Sequence, residues 1–355
     1  MEPILKDEFK GISDSIITWY EANKRDLPWR HTRNPYKIWL SEIMLQQTRV
    51  EQGLSYYLKF VKNYPQITDL ANASEEQVLR DWQGLGYYSR ARNLHETAKI
   101  IRDNYQGIFP QKYEDIKTLK GVGDYTAAAI ASFAFDLPYA VVDGNVFRVL
   151  SRIFGIETDI SSSGAKKEFT EMAQRLLNNQ NPAIHNQAMM EFGALHCTPK
   201  KPSCNTCPLN KVCFAKRLNK QDELPVKLKK TKVSNRYFNY LIIRKEASLS
   251  LQKRKDKDIW SSLYEFPLIE TDEVVSSASI VSVFEEGVVE NIKKITETRH
   301  ILSHQRLYCS FWEVVFRDKN YGDYAYFDIE EIKALPKPVL INNFLLQFYY
   351  HLLMR

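Results

Sequence analysis

Residues able to do chemistry gather in two places in this chain of 355 residues. Four of the five cysteines, Cys197, Cys204, Cys207 and Cys213, fall within seventeen residues in a C-x6-C-x2-C-x5-C pattern. Such crowding does not suit a disulfide scaffold. It points to a reducing compartment and a soft four-thiolate site for a metal ion or cluster. A structural zinc usually takes two short Cys/His pairs separated by a longer loop, and this single compact loop departs from that layout. The second place is Leu119–Leu150, where Gly121-Val122-Gly123 forms a tight turn before the Ala-rich run Tyr125–Phe135. Free N–H groups at the start of a helix, backed by its dipole, favour an anion such as a phosphate. Asp143 follows twenty residues past the hairpin, just before Gly144-Asn145 and another helical stretch. An Asp there caps a helix, and the same geometry holds a carboxylate beside the positive end of a dipole, where it can stabilise a cation. A phosphate-gripping hairpin with a fixed anion close behind suggests DNA held over an electrostatic catalyst.

The elements that must position these groups are legible from periodicity. Apolar residues at Phe9, Ile12, Ile16, Ile17 and Tyr20 recur at helical spacing, and Trp39–Val50 reads as a second helix with Trp39, Ile43 and Leu45 mostly inward. Further helices are expected at Gly53–Asn63, Glu75–Trp82, Ser89–Asn104, Tyr113–Leu119, Ala165–Asn178 and Pro182–Leu195, with no strand before residue 215. The stretch 216–236 is polar and lysine-rich and reads as an interdomain linker. After it the period changes to two. Strands are expected at Tyr237–Ile243, Ser248–Gln252, Tyr308–Phe316 and Tyr324–Phe327, and helices at Ser279–Lys293, Ile329–Ala334 and Asn342–Leu353. Cys309 falls in one of these strands and reads as a small buried hydrophobe. The length favours two domains, and 49 basic against 43 acidic residues give a mildly basic +6, compatible with nucleic acid. The N-terminus lacks a signal-peptide pattern, and no apolar run approaches the roughly 20 residues that span a bilayer.

The segments LKGVGDYTAAAIASFAF and VVDGN resemble the helix-hairpin-helix and Gly-Pro-Asp-type region of the endonuclease III superfamily of DNA glycosylases. The remaining motifs resemble its MutY branch, the adenine DNA glycosylases. The resemblance implies a 4Fe–4S cluster on Cys197, Cys204, Cys207 and Cys213, with Lys200, Lys201 and Lys211 shaping a basic surface around the loop. Within SEIMLQQTRV it makes Glu42, otherwise an unremarkable helix glutamate, the acid that protonates a departing adenine. Burial among Trp and aliphatic side chains would raise its pKa enough for that role. Asp143 then supports the oxocarbenium-like sugar and Asn145 positions it with the water, the two-carboxylate arrangement that glycoside chemistry generally uses. Tyr125 stands where strand-cutting relatives hold a Schiff-base lysine, and a phenol cannot supply that amine.

The same resemblance lines an adenine pocket with Arg25, Trp29, Arg30, Leu45, Val50 and Glu191. It assigns Gln47 and Tyr88 to intercalation and lesion contact, and Thr48 and Leu85 to the opposite base, while Gly121 and Gly123 grip the backbone. His300-Ile301-Leu302-Ser303-His304 is similar to the Phe-Ser-His loop that probes damaged guanine, with Leu302 in place of the aromatic. Ile259–Pro267 resembles the Trp…Glu-Phe-Pro stretch of Nudix-like domains, but the metal-binding carboxylates of a catalytic Nudix box are missing, so no pyrophosphatase activity is expected.

The expected fold is multidomain, α plus α/β. An all-α helix-hairpin-helix catalytic region spans 1–215 with its cluster loop at 197–213, a basic linker 216–236, and a Nudix-like (MutT-like) lesion-recognition domain 237–355. The expected function is monofunctional removal of adenine mispaired with 8-oxoguanine or guanine in double-stranded DNA, by a monomer in the bacterial cytoplasm, at the nucleoid. Two alternatives stand beside it: a bifunctional endonuclease III-like glycosylase/lyase acting on oxidised pyrimidines, and a non-enzymatic iron–sulfur DNA-binding protein.

Overall fold

Asn34-Pro35 shows how local signals start the elements that matter. The Asn34 side chain accepts from the Lys37 amide at 3.2 Å, and Pro35 occupies the first helical position, where a missing N–H costs nothing. The computed structural model describes residues 6–228, 232–255, 258–318 and 321–349. In chain order the helices are α1 (Lys6–Asn23), α2 (Pro35–Leu45), α3 (Val50–Asn63), α4 (Ile67–Asn72), α5 (Glu75–Trp82) and α6 (Ser89–Asn104). Next come α7 (Tyr113–Thr118), α8 (Asp124–Phe135), α9 (Gly144–Phe154), α10 (Ala165–Leu176), α11 (Pro182–Leu195) and α12 (Phe214–Leu218). The chain divides into two units, Met1–Asn72 with Glu96–Lys230, and Ala73–His95 with Thr231–Arg355.

In the first unit α8 is the close-packed centre. Ala127, Ala129 and Ala131 are wholly buried, and these short side chains let α2 and α11 both pack against α8. Helix α9 turns Val146, Val149, Leu150 and Ile153 into a core shared with α1, α10 and α11. The helix expected over Trp39–Val50 stops at Leu45, and Gln47 adopts a left-handed φ of 54° before α3 begins. That break projects Gln47 outward.

The expected linker is partly structure. Helix α12 runs into it, Ile160 donates its amide to Val226 at 3.0 Å, and the buried Arg152 guanidinium binds the carbonyls of Gln221 at 2.7 Å and Leu224 at 3.0 Å. Arg152 also reaches the carbonyls of Thr198 and Pro199 at 2.8 and 3.1 Å, so one planar cation ties the cysteine loop to residues 221–224. Lysine-rich composition suggested a solvated tether; a guanidinium remote in sequence decides otherwise.

The second unit is built on a mixed sheet. Its strands are β1 (Ser234–Lys245), β2 (Ser248–Ser250), β3 (Gln252–Lys253), β4 (Tyr264–Glu265) and β5 (Leu268–Thr271), then β6 (Val289–Ile301), β7 (Gln305–Phe316) and β8 (Tyr326–Phe327). The order is β6-β7-β1-β2-β8, with β5 also on β1, the β1–β7 pair parallel, and β3–β4 a separate ribbon. Helices α13 (Ser277–Val281), α14 (Ile329–Ala334) and α15 (Val339–Phe348) accompany it. Phe238, Tyr240, Phe311 and Phe344 fill one face, and Leu241, Trp312 and Val314 the other. The helix expected over Ser279–Lys293 is only one turn long and gives way to β6, because Gly287 takes a left-handed φ of 79° and β-branched residues follow. Positions 350–353 of the expected last helix lie outside the described residues.

Residues 73–95, expected in the helical domain, belong to this second unit. The Glu76 carboxylate takes Lys253 at 3.1 Å and the Tyr264 hydroxyl at 3.0 Å, and Arg92 donates to the Ser261 carbonyl at 2.7 Å. A boundary read from composition cannot detect such long-range partners. For Arg152, loss of several charge-assisted bonds in a buried setting should cost about 2–4 kcal/mol. Arg152→Ala and Arg152→Lys are both expected to lower unfolding stability by that order in denaturant melts, since an ammonium cannot serve so many carbonyls.

Candidate active site

A cavity of about 280 Å³ in the helical unit gathers residues from five stretches of chain. Arg25, Trp29 and Arg30 come from the segment after α1, Glu42 and Leu45 from α2, Tyr125 from α8, and Asp143 with Asn145 from the start of α9. Thr48 and Val50 also line it, as does Glu191 of α11. The adenine-pocket residues expected from sequence therefore share one site with both carboxylates. Gln187 and Met190 line it too and were not singled out. They sit four and one residues before Glu191, on the same face of α11, and that helical spacing is the signal that would have found them.

Glu42 is 7% exposed. Burial, reinforced by the nearby Asp143 charge, pushes its carboxyl up to about 7, although the Tyr125 hydroxyl donates to Oε2 at 2.8 Å and works the other way. That bond leaves Oε1 as the oxygen to carry a proton. Tyr125 thus does more than stand in for an amine: it orients the acid.

Asp143 caps α9 as expected, its Oδ1 accepting from the Val146 amide at 2.8 Å while Oδ2 accepts from Asn145 Nδ2 at 2.8 Å. Burial raises its pKa above the ordinary carboxylate value, against the pull of these donors and of Arg148. Two carboxyls in one buried pocket resist double ionisation, and Asp143 has several donors that favour its charged form against one for Glu42. Asn145 is held in turn by Arg148, whose Nη2 reaches Asn145 Oδ1 at 2.9 Å and the Gly193 carbonyl at 2.7 Å, while Nε reaches the Cys197 carbonyl at 2.7 Å. A Cβ on Gly193 would lie 2.6 Å from that of Asn145, so α11 meets α9 closely here only because the residue is glycine.

Glu191 lines the cavity, but its carboxylate is taken up by neighbouring groups. At 1% exposure it accepts from the Arg25 amide at 2.9 Å, from both Arg25 and Arg30 side chains at 2.7–3.0 Å, and has no oxygen left to face a ligand. Burial works to raise its pKa, but the two guanidiniums outweigh it and hold the carboxyl at about 2. It is an anchor that aims Arg25 and Arg30.

In the hairpin, Gly121 takes a φ of 76° while Gly123 is extended, with open space above it. Asp124, at the first position of α8, is neutralised by Lys117 and Lys166, which keeps this helix start open to an anion.

The second unit holds a separate cavity of about 420 Å³, lined in part by Leu85, Tyr87, Tyr88, Trp260, Ser303 and His304. The assignment of Tyr88 is corrected here. Tyr88 is 5% exposed with its hydroxyl turned to the Lys337 carbonyl at 3.4 Å, whereas Tyr87 is 38% exposed and hydrogen-bonds Ser303 Oγ. A left-handed φ of 48° at Tyr87 swings it out of the packed side, which two adjacent tyrosines in sequence could not reveal. Leu85, 4% exposed, is largely packing.

The thiols of Cys197, Cys204, Cys207 and Cys213 line one small cavity of about 30 Å³. N–H groups of Arg152 and Leu209 point at the sulfurs of Cys197 and Cys207, both at 3.4 Å, as suits thiolate ligands. Burial pushes the Cys207 thiol up to about 11. Among the described residues no three or more His, Cys, Asp or Glu side chains are grouped so as to hold a metal ion. The four-sulfur donor set fits a larger soft centre. Nor, among the described residues, is any helix long and apolar enough to cross a membrane.

Comparison with known proteins bears on this geometry. Residues 40–175 match the family model of the HhH-GPD superfamily base excision DNA repair protein, and residues 239–347 match that of the NUDIX domain. The adenine DNA glycosylase of Buchnera aphidicola subsp. Baizongia pistaciae is 34% identical over 92% of this chain and 93% of its own. That of Homo sapiens is 42% identical over 61% of this chain and 41% of its own. Among solved structures, a thermostable thymine-DNA glycosylase aligns with a TM-score of 0.56 at 32% identity, over 60% of this chain and 98% of that one. A trapped endonuclease III–DNA covalent intermediate, 23% identical, aligns with a TM-score of 0.53 over 61% of this chain and 99% of that one, a likeness of fold alone. Because the Buchnera relative is matched along nearly the whole of both sequences, helical unit and sheet unit together, this chain belongs to the adenine DNA glycosylases of the HhH-GPD base excision repair superfamily.

Proposed function

We propose that this protein is a monofunctional glycosylase that hydrolyses the N-glycosidic bond of adenine mispaired with 8-oxoguanine, and more weakly with guanine, in double-stranded DNA. The observation that carries it is the pair Glu42 and Asp143 in one cavity, one carboxyl tuned to about 7 and the other held by several donors. The adenine leaves its stack, since a base inside a duplex cannot reach a buried acid. Glu42 gives its proton to a ring nitrogen. The bond from C1′ to the base breaks with its electron pair leaving on the base, and Asp143 faces the resulting oxocarbenium-like sugar. Water adds at C1′ and its proton passes to a carboxylate of the pocket, leaving free adenine and an abasic sugar. Arg25 and Arg30, aimed by Glu191, and Trp29 hold the base.

Among the described residues three arginines and no lysine line the cavity, and Lys120 is paired with Glu96, which supports hydrolysis over a Schiff-base route. Gln47 is suited to fill the gap left by the base. Ser303 and His304 are suited to sense the opposite purine, and Gly121 with Gly123 to take backbone phosphate. Cys197, Cys204, Cys207 and Cys213 would hold a 4Fe–4S cluster, which supplies a shaped basic surface rather than electrons for the reaction. The reading carries with it a monomer working at the nucleoid of a bacterial cytoplasm.

A duplex with a central adenine opposite 8-oxoguanine tests the proposal; absence of adenine release would sink it. Glu42→Gln and Asp143→Asn should each slow single-turnover release by at least about 100-fold while still binding the duplex. Wild-type release should fall as pH rises through about 7, where Glu42 loses its proton. The same shift has a stability cost. A carboxyl raised from 4.5 to about 7 contributes stability at low pH that is lost as pH climbs through the folded value. Glu42→Gln should therefore melt higher than wild type at pH 8, with the gap closing near pH 5.

A further inference from the structure

Tyr20 of α1 lies under the base pocket, only 3% exposed, and no step above uses it. Its hydroxyl donates to Oε1 of Gln187 at 2.7 Å, the α11 residue that lines the cavity with Glu42 and Asp143. The Arg30 guanidinium stands over the Tyr20 ring, 5.5 Å from its centroid, and is itself clamped by Glu191 at 2.7 Å. The phenol is thus fixed on both sides. We propose that Tyr20 is a positioning residue that fixes the Gln187 amide with its NH2 group toward the base pocket, so that this wall offers a donor to a ring-nitrogen lone pair of the purine. This rests on the adenine glycosylase reading and deepens it.

Two physical arguments select this orientation of the amide. With the Gln187 oxygen satisfied by Tyr20, its nitrogen is the group left to face the cavity. A flipped amide would instead turn its oxygen toward a space that already holds two carboxyls, Glu42 and Asp143, and would leave the buried phenol to find another acceptor. The consequence is selectivity. A purine whose ring nitrogen carries a lone pair at this wall is accepted; one bearing N–H there meets two opposed donors. Glu191 then anchors a larger unit than two arginines, because through Arg30 and Tyr20 it also sets which end of Gln187 the base meets.

Single-turnover adenine release from the same duplex tests this with full-length protein. Tyr20→Phe should slow release about five- to ten-fold, with a melting midpoint within about 2 °C of wild type. Gln187→Met should slow it at least as much. The double variant should be no slower than Gln187→Met alone, since Tyr20 acts only through the amide. Full speed in Tyr20→Phe, or additive slowing in the double variant, overturns the proposal, as does a rate loss matched by a fall in melting point. If Tyr20→Phe does not fold, Gln187→Met at wild-type speed overturns it as well. A wild-type protein that releases no adenine removes the glycosylase reading and this inference together; an active wild type with an unaffected Tyr20→Phe removes the inference alone.

Discussion

A carboxyl whose pKa is pushed up by burial is the constraint on which the rest of this molecule depends. Glu42 lies on α2 with Trp39, Leu40 and Met44, all wholly buried; the Tyr125 hydroxyl donates to it, and the Asp143 charge acts on it through space. Water would stabilise the ionised form and return the group to its ordinary range, so the helices around it must exclude water while leaving room for a base. The run of alanines in α8 meets both demands. Small side chains bring α2 and α11 close, and Tyr125 at the start of the same helix reaches the acid.

Polar groups around the cavity form a hierarchy of supports. Asp143 is held by the start of α9 and by Asn145, Asn145 by Arg148, and Arg148 by carbonyls of α11 and of the cysteine loop. Glu191 likewise spends both its oxygens on Arg25 and Arg30. Such support explains how charges persist so deep in a helical core: the carboxylates of Asp143 and Glu191 each accept from more than one donor. Charge on this scale costs stability, and the site accepts that cost where chemistry requires it.

The second unit solves a different problem with a different architecture. Its sheet presents a hairpin tip, Ser303-His304, on two long strands, and residues 73–95 join it through side-chain and backbone bonds to Lys253, Ser261 and Lys337. The Gly84–Tyr88 turn and the Ser303 hydroxyl therefore belong to one compact unit although more than two hundred residues separate them. Rigid elements place a hydroxyl more reliably than a free loop can.

Much of this was readable from the chain alone. Helical periodicity placed α5, α6 and α11 at their observed bounds, and Asp143 capped its helix, because each is a local pattern of a few residues. Local signals failed where competing patterns were equally short. The β-branched residues of β6 resembled a helix until Gly287 broke it, and adjacent Tyr87 and Tyr88 could not be told apart without a backbone angle. Only the tertiary structure decided that residues 73–95 side with the sheet, that Arg152 binds the supposed linker, that Glu191 is an anchor, and that Gln187 joins the pocket. These depend on contacts between residues far apart in sequence, whose energies come from desolvation and pairing, and neither quantity exists until the chain has folded.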